Sequence, residues 1–343
     1  MGKKGRVALQ LVGFGAGVAL LVWVIARAFA TMTPDDWDRL RNASTGQLAG
    51  LVGLAALSVA MNGVLWWLAI RPVKRLRLGD TASVNAIATV LAYAPFKLSV
   101  VFRATYHRSV DGLAVLTFGG WAAAIAAGLL AGVVPALALR LTPLSSNLTL
   151  WIVASAVGAV VAAIVGSALS RSLATGAGWR FVRRSAFRLG GARGLRLVRG
   201  PMFTNLHAAT HMLAQPGPVV AAALLRLIDA LVLAGRFLIA ASVLGVDVSA
   251  ATAVVVGVAF FLIGALAPTG AAGVREGGAA GLLALLGVDE SVTPIVVFVA
   301  ATGVLGELGI GAMALAWLGP GRLRGLVKRR EGASSGGETP GAA

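Results

Sequence analysis

The residues best placed for chemistry are the ionisable and helix-breaking ones that interrupt otherwise apolar runs. Between apolar stretches at 251–267 and 277–288 lies Pro268-Thr269-Gly270-Ala271-Ala272-Gly273-Val274-Arg275-Glu276. Irregular backbone survives at bilayer depth only where protein or a polar cavity satisfies its freed amides and carbonyls. An ionisable pair there, Arg275 with Glu276, is by default a functional-site hypothesis. Gly270 and Gly273 permit positive φ, and Val274 to Glu276 are expected to open a new helix whose amino end offers free amides to an anion. Glu276 suits the positive end of that helix. Arg275 either pairs with it or binds a phosphate, and the plainer alternative is that the pair only holds the tip of a hairpin.

A second interruption, Tyr93-Ala94-Pro95-Phe96-Lys97-Leu98-Ser99, is followed by Arg103, Tyr106, His107 and Arg108. Pro95 cannot continue a helix without losing a backbone hydrogen bond, which puts the break at Ala94 to Lys97. Lys97 and Arg103 then either face an anionic group or snorkel to the headgroups. A third set, Arg226, Asp229 and Arg236, lies within the apolar run 217–243 at spacings of three and seven, along one helix face. Arg226 is near enough to the cytoplasmic end to snorkel. The expected pathway pair is therefore Asp229 with Arg236, a structural ion pair being the alternative. Glu307 and Asn62 are isolated polar residues that could simply hydrogen-bond a neighbouring helix.

His207 and His211 are one helical turn apart, but Ala208 follows the first histidine and no nearby carboxylate completes a metal site. No metal and no cofactor is expected. Trp66 and Trp67, before Arg71, read as an interfacial belt. Gly13/Gly17 and Gly277/Gly281 read as close-packing positions.

The elements that must position these residues follow from composition. Hydrophobic residues are 58% of 343 and charged ones 13%, against roughly 25% charged in soluble domains, so the chain is a polytopic membrane protein. Six runs are long and apolar enough to span: 7–30, 47–70, 112–139, 150–170, 217–243 and 293–318. Regions 81–102 and 250–288 are interrupted, and 250–267 is almost long enough to cross alone. The basic start, Lys3, Lys4 and Arg6, resembles a secretory signal, yet its apolar core exceeds the usual 7–15 or so residues, so 7–30 is read as a retained first helix. Cysteine is absent, which excludes disulfides and thiolate metal sites.

The net charge of +17 is segregated. Arg71, Lys74, Arg75 and Arg77 follow the second span, eight arginines and no acid occupy 171–215, and Arg322, Arg324, Lys328, Arg329 and Arg330 follow the last span. By the positive-inside rule these segments are cytoplasmic, and Asp35, Asp36, Asp38, Asp247, Asp289 and Glu290 lie outside. Both termini are then cytoplasmic, in the cell membrane, and nucleic acid is not the expected partner. Within 171–215, Arg180, Arg183, Arg184 and Arg188 stand among Trp179, Phe181 and Phe187, a pattern for either a solvated topology determinant or a short surface helix that touches anionic lipid.

Traced with this orientation, each half reads helix, helix, interrupted hairpin, helix, in opposite senses. The expected fold is an all-α bundle: six full transmembrane helices plus two broken, re-entrant hairpins in an inverted repeat, the sequence pointer to a transporter site near the midplane. One membrane domain covers 1–320, with halves at about 7–139 and 150–318 and the basic loop 171–215 between the first two helices of the second half. Residues 321–343 read as a basic, then Gly/Ser-rich disordered tail.

At the two hairpins the sequence resembles the flippase-like membrane domain family, known also from the membrane half of lysylphosphatidylglycerol synthetases. The family's Pro-Gly-Gly-x-Gly-x-Arg-Glu-like signature is similar to Pro268 through Glu276, followed by a small-residue helix and Leu285-Leu286-Gly287-Val288. Its first signature is matched at Pro95 and Arg103, with Ser99 and Val100 where Gly and Glu are usual. The resemblance implies lipid translocation between leaflets. The synthetases carry a following soluble aminoacyl-transferase domain; here a Gly/Ser-rich stretch follows Arg330, so lysyl transfer by this chain is not expected.

The first functional expectation is a flippase or transporter, not an enzyme, moving an anionic or zwitterionic lipid through a cavity between the hairpins. An anionic phospholipid or a polyprenyl-phosphate carrier would meet Arg103, Lys97, Arg275 and the hairpin amides, and Glu276 and Asp229 would couple to protons or to a cationic headgroup. No Gly-x-x-x-x-Gly-Lys-Ser/Thr loop is present to bind a nucleotide. The alternatives are a membrane enzyme on a lipid-linked substrate, with Glu276 or His107 as acid or base, and a non-catalytic partner of a cell-envelope enzyme. Homo-oligomerisation is left open.

Overall fold

The structure is a computed structural model and describes residues 3–94, 98–140, 147–266, 273–285 and 293–335. Every regular element among them is helical. Helix α1 (Lys3–Thr31) is followed by the short α2 (Pro34–Arg41), which turns away by 104°. The bend is held by a capping box, in which Thr33 accepts from the Asp36 amide while the Asp36 carboxylate accepts from the Thr33 amide. A second capping box, Ser44 with Gln47, starts α3 (Thr45–Ile70).

The first interrupted region is α4 (Leu78–Val90), a single 3-10 turn (Leu91–Tyr93) and α5 (Leu98–Ser109). Then come α6 (Val115–Arg140), α7 (Leu148–Ala174), α8 (Gly176–Arg199), α9 (Pro201–Leu213) and α10 (Pro216–Leu244). Helix α10 ends on Gly245, whose φ of 67° is the left-handed conformation of a helix stop. Arg39 of α2 donates to the Leu244 carbonyl at 2.7 Å and satisfies one of the carbonyls freed there. The second interrupted region is α11 (Ala250–Leu266) and α12 (Val274–Leu285), and α13 (Thr293–Ser335) closes the bundle with a break at Gly319, φ 70°.

Five of the six expected spans, α3, α6, α7, α10 and α13, are long and apolar enough to cross a membrane. The sixth, 7–30, qualifies only as the bent pair of α1 with α2. The interrupted regions are built from short pieces. Helix α11 has 17 residues, about 26 Å of rise at 1.5 Å each, short of a hydrocarbon core of about 30 Å. Helices α4, α5 and α12 have 13, 12 and 12. The break residues Pro95, Lys97, Pro268 and Gly270 lie outside the described residues, so only the flanks of each break are on view.

Helices α3 and α10 pack against each other at the centre. Around them the partners correspond: α3 packs on α4 and α13, while α10 packs on α11 and α6. The match is incomplete, because α13 lies along α4 whereas α6 only grazes α11. Lipid tails give helices no apolar reason to associate, so close approach through small residues matters. At Gly306 of α13 a Cβ would sit 2.6 Å from the Val52 carbonyl oxygen of α3, so only glycine allows that crossing. Burial then assigns faces. The apolar window of α10 is 61% buried and that of α7 is 22% buried, so the charges of α10 must face protein, while Val153, Val157, Val161 and Ile164 of α7 face lipid.

Candidate functional site

The charges on α10 head a chain of polar side chains that crosses four helices. Arg226, Asp229 and Arg236 are 4%, 2% and 4% exposed. Asp229 accepts from the Arg226 guanidinium at 3.1 Å and from the Ser58 hydroxyl of α3 at 2.5 Å. Arg226 also donates to the Asn62 side-chain oxygen at 2.6 Å, Asn62 donates to the Asn85 side-chain oxygen of α4 at 3.1 Å, and that oxygen also accepts from Arg103 of α5 at 2.8 Å. Asn85 spends its own amide on the Val59 carbonyl at 3.2 Å. An unpaired polar group at this depth costs several kcal/mol, and the amides let the chain run on without adding charge.

The ion pair on α10 differs from the one expected. A spacing of seven separates Asp229 from Arg236 by two turns, about 10 Å along the axis; a spacing of three brings Arg226 alongside, so Asp229 pairs with Arg226. The same pairing buries Arg226, which therefore does not snorkel. A cavity of about 10 Å³, room for one water, opens onto Arg226 and Asp229 between Leu129, Val133, Val258 and Phe261.

The second cluster forms where the interrupted regions meet. Arg275 of α12 donates to the Tyr93 hydroxyl at 3.0 Å, which ties the turn after α4 to the start of α12. Its Nε donates to Glu276 at 3.0 Å, and its guanidinium lies 3.7 Å from the Glu307 carboxylate of α13. The Phe260 ring packs 4.4 Å from the guanidinium carbon, a desolvated cation–π contact. Glu276 is 2% exposed and its other oxygen accepts from the Gly273 amide at 2.7 Å. The amino end expected to offer free amides to an anion is thus partly filled by this side chain. Gly273 has φ 77°, and a Cβ there would run into the Gly17 backbone of α1, so the sharp entry into α12 and the approach of α1 both need glycine.

Arg236 lies between the clusters. It donates to the Val299 carbonyl of α13 at 2.5 Å and rests on Gly303, where a Cβ would stand 2.8 Å from the guanidinium. Among the described residues neither Arg236 nor Arg103 has a carboxylate within ion-pair distance, and the Nε of each is buried without a hydrogen-bond partner. Arg103 is held instead by the face of Trp66, 4.8 Å away. Trp66 is 8% exposed and therefore a wall of the site rather than part of an interfacial belt. Trp67 is bonded to the Leu76 carbonyl and stacked under Arg71, next to the basic segment.

Of the residues singled out from sequence, Arg275 and Glu276 come together, Arg103 joins Asp229 through Asn85, Asn62 and Arg226, and Arg236 stands between. Lys97, Pro95, Pro268 and Gly270 are not described. Five participants were not anticipated as such. Tyr93 was read only as part of the break, Glu307 and Asn62 only as isolated polar residues, and Ser58 and Asn85 not at all, although a lone amide in the apolar run 81–93 is itself a signal. His107 is buried against Tyr106 and Trp121 and lies 2.6 Å from Asp111, whose backbone carbonyl accepts from Lys74. This group anchors the end of α5 to the loop before α6. His207 and His211 face each other, with Trp179 stacked on the first. No group of three metal-ligating side chains forms among the described residues.

An all-helical bundle with several apolar spans, two interrupted hairpin regions and charges sequestered between them defines a multi-pass integral membrane protein. The family model for the lysylphosphatidylglycerol synthase TM region matches residues 10–323, and the chain belongs to that family. Neither the curated proteins nor the solved structures yield a match.

Proposed function

We propose that this protein moves an anionic or zwitterionic phospholipid between leaflets, the headgroup passing between the two interrupted hairpins. The observation that supports the reading is an imbalance of buried charge. The two clusters and Arg236 between them hold four arginines, Arg103, Arg226, Arg236 and Arg275, against three carboxylates, Asp229, Glu276 and Glu307. A buried cation without a counter-charge is strongly unfavourable; a phosphate arriving with the substrate supplies the missing anion. Arg103 is the first phosphate ligand, with a free Nε and a guanidinium oriented by Asn85 and Trp66. Arg236 is the second. Arg275 is already engaged by Tyr93, Glu276 and Glu307, so in this state it joins the hairpins. It turns to substrate only when they part. Lys97 adds a cation to the first hairpin, and Asp229 and Glu276 are the groups able to exchange a proton or meet a cationic headgroup. The lipid stays in the cell membrane with its tails in the bilayer, and both termini of the protein are cytoplasmic.

The test is reconstitution in liposomes with labelled phosphatidylglycerol or a polyprenyl phosphate, read as accessibility of the label from outside. Arg103→Ala is expected to slow movement roughly ten- to a hundredfold, and Glu276→Gln to slow it less. Unchanged movement in both variants would sink the site assignment. Product formed from a lipid-linked donor without any movement would replace the transporter with an enzyme.

A further inference from the structure

Helix α8 carries seven arginines, Arg180, Arg183, Arg184, Arg188, Arg193, Arg196 and Arg199, and no acid. All seven are exposed, and none forms an ion pair among the described residues. The same element leaves Phe181 67%, Phe187 56%, Leu189 91% and Leu197 67% exposed. At 100° per residue, Arg180, Arg183, Arg184 and Arg188 share the outward half of the first segment with Phe187, and Phe181 lies at its margin. Trp179 on the opposite side stacks on His207 of α9. Water suits the arginines but not the phenylalanines, and hydrocarbon the reverse. The headgroup zone of an anionic leaflet suits both.

The chain also fixes where this face must lie. Thr175 is the last cap of α7 and the first cap of α8, so no linker separates the surface element from a span. At the other end Gly200 leads directly into α9, which packs on α6 and α7. Gly191, at φ 54° and ψ −139°, breaks α8 into two pieces, and Gly194 folds back so closely on the Ala186 carbonyl that a Cβ would not fit. The result is a compact surface hairpin pinned at both ends to membrane-crossing helices. We propose that this hairpin is a second lipid site: it binds the phosphates of anionic phospholipids in the leaflet it lies on, and those lipids are not the cargo of the buried arginines.

The absence of cysteine makes the test clean. Phe187→Cys supplies a single thiol at an exposed residue on the arginine side of the first segment, for an environment-sensitive fluorophore on the full chain. In vesicles of phosphatidylcholine with phosphatidylglycerol, the label is expected to shift to the blue and be quenched by spin labels on the acyl chains. The quenching should be lost in phosphatidylcholine alone. It should also be lost in about 1 M salt, where the screening length falls from about 10 Å to about 3 Å. Combined Arg180→Gln, Arg183→Gln, Arg184→Gln and Arg188→Gln should abolish it in the mixed vesicles, while the four Arg→Lys changes retain it and so control for folding and topology. Quenching that ignores lipid charge and salt overturns the proposal, as does a label exposed to water in both vesicles. So does burial that appears only on adding soluble protein, which would assign the face to a protein partner. Transport is read separately: loss of quenching with transport intact leaves the proposed function standing, and the reverse leaves this surface standing.

Discussion

The two buried clusters solve the same problem, charge inside a lipid-facing bundle, in opposite ways. The α10 chain runs from Ser58 and Asp229 through Arg226, Asn62 and Asn85 to Arg103, on α10, α3, α4 and α5. It ends on a cation with no acid beside it. The hairpin cluster puts one arginine between two carboxylates and a tyrosine, and takes its members from the flanks of breaks as well as from α13. One has spare positive charge and stiff supports; the other is locally over-neutralised and stands where the chain is interrupted. The contrast teaches a division of labour. Under the proposed function, the surplus cation is where an anion would be gained, and the saturated cluster is where the two interrupted regions would be joined and released.

The largest expected effect tests the stiff side. Asp229→Ala strands Arg226 without its carboxylate, and loss of one partner of a buried pair costs about 3–5 kcal/mol. A thermal unfolding midpoint in detergent close to that of the parent protein would mean that the pair is not buried as described. Gly273→Ala probes the other side. The left-handed backbone costs about 1–2 kcal/mol in a residue with a side chain, and the crowding against α1 adds about 1–3 kcal/mol. The expected outcome is a loosened α1–α12 contact, seen as faster amide exchange in α12 while α3 and α10 keep their protection.

A smaller effect separates binding from architecture. A hydrogen bond to a charged group is worth about 1.5–3 kcal/mol, so Arg103→Ala should slow transport roughly ten- to a hundredfold. Its unfolding midpoint should hold or rise, since an unpaired buried cation has gone. A fall in stability to match that of Asp229→Ala would erase the contrast between the clusters. Tyr93→Phe is the smallest. Interhelical hydrogen bonds in bilayers average about 0.6 kcal/mol and reach about 1.7 kcal/mol, so stability changes little. Movement of lipid should nevertheless change in rate, because the lost bond joins the two hairpins. Identical rates in parent and Tyr93→Phe protein would remove the joining role.

What the sequence allowed one to read follows from the range of each signal. Hydropathy reports twenty-residue runs, so α3, α6, α7, α10 and the part of α13 before its break at Gly319 were placed within a few residues. The interruptions at 93–97 and 268–276 were legible because proline, glycine and charge are conspicuous in apolar surroundings. Partnership was less legible. Asp229 could be put on a face with two arginines, yet which one it pairs with is decided by a single turn of rise. The meeting of Tyr93 with Arg275, 182 residues apart, depends on how helices cross, as does the contact of Glu307 with Arg275. No local pattern encodes either. Trp66 was misassigned for the same reason: its neighbour Trp67 does border the basic segment, and only the packing of Phe118 and Trp121 of α6 and of Arg103 of α5 shows that Trp66 turns inward.

The shared cap at Thr175 has a mechanical consequence. A span and a surface helix joined without slack behave as a bell crank, in which tilt of the upright arm swings the horizontal one. If the horizontal arm is held down by headgroup charge, the composition of one leaflet sets the lean of α7, and α7 packs directly on α10 and α6. The bilayer would then be both the medium in which this protein works and a load on its lever.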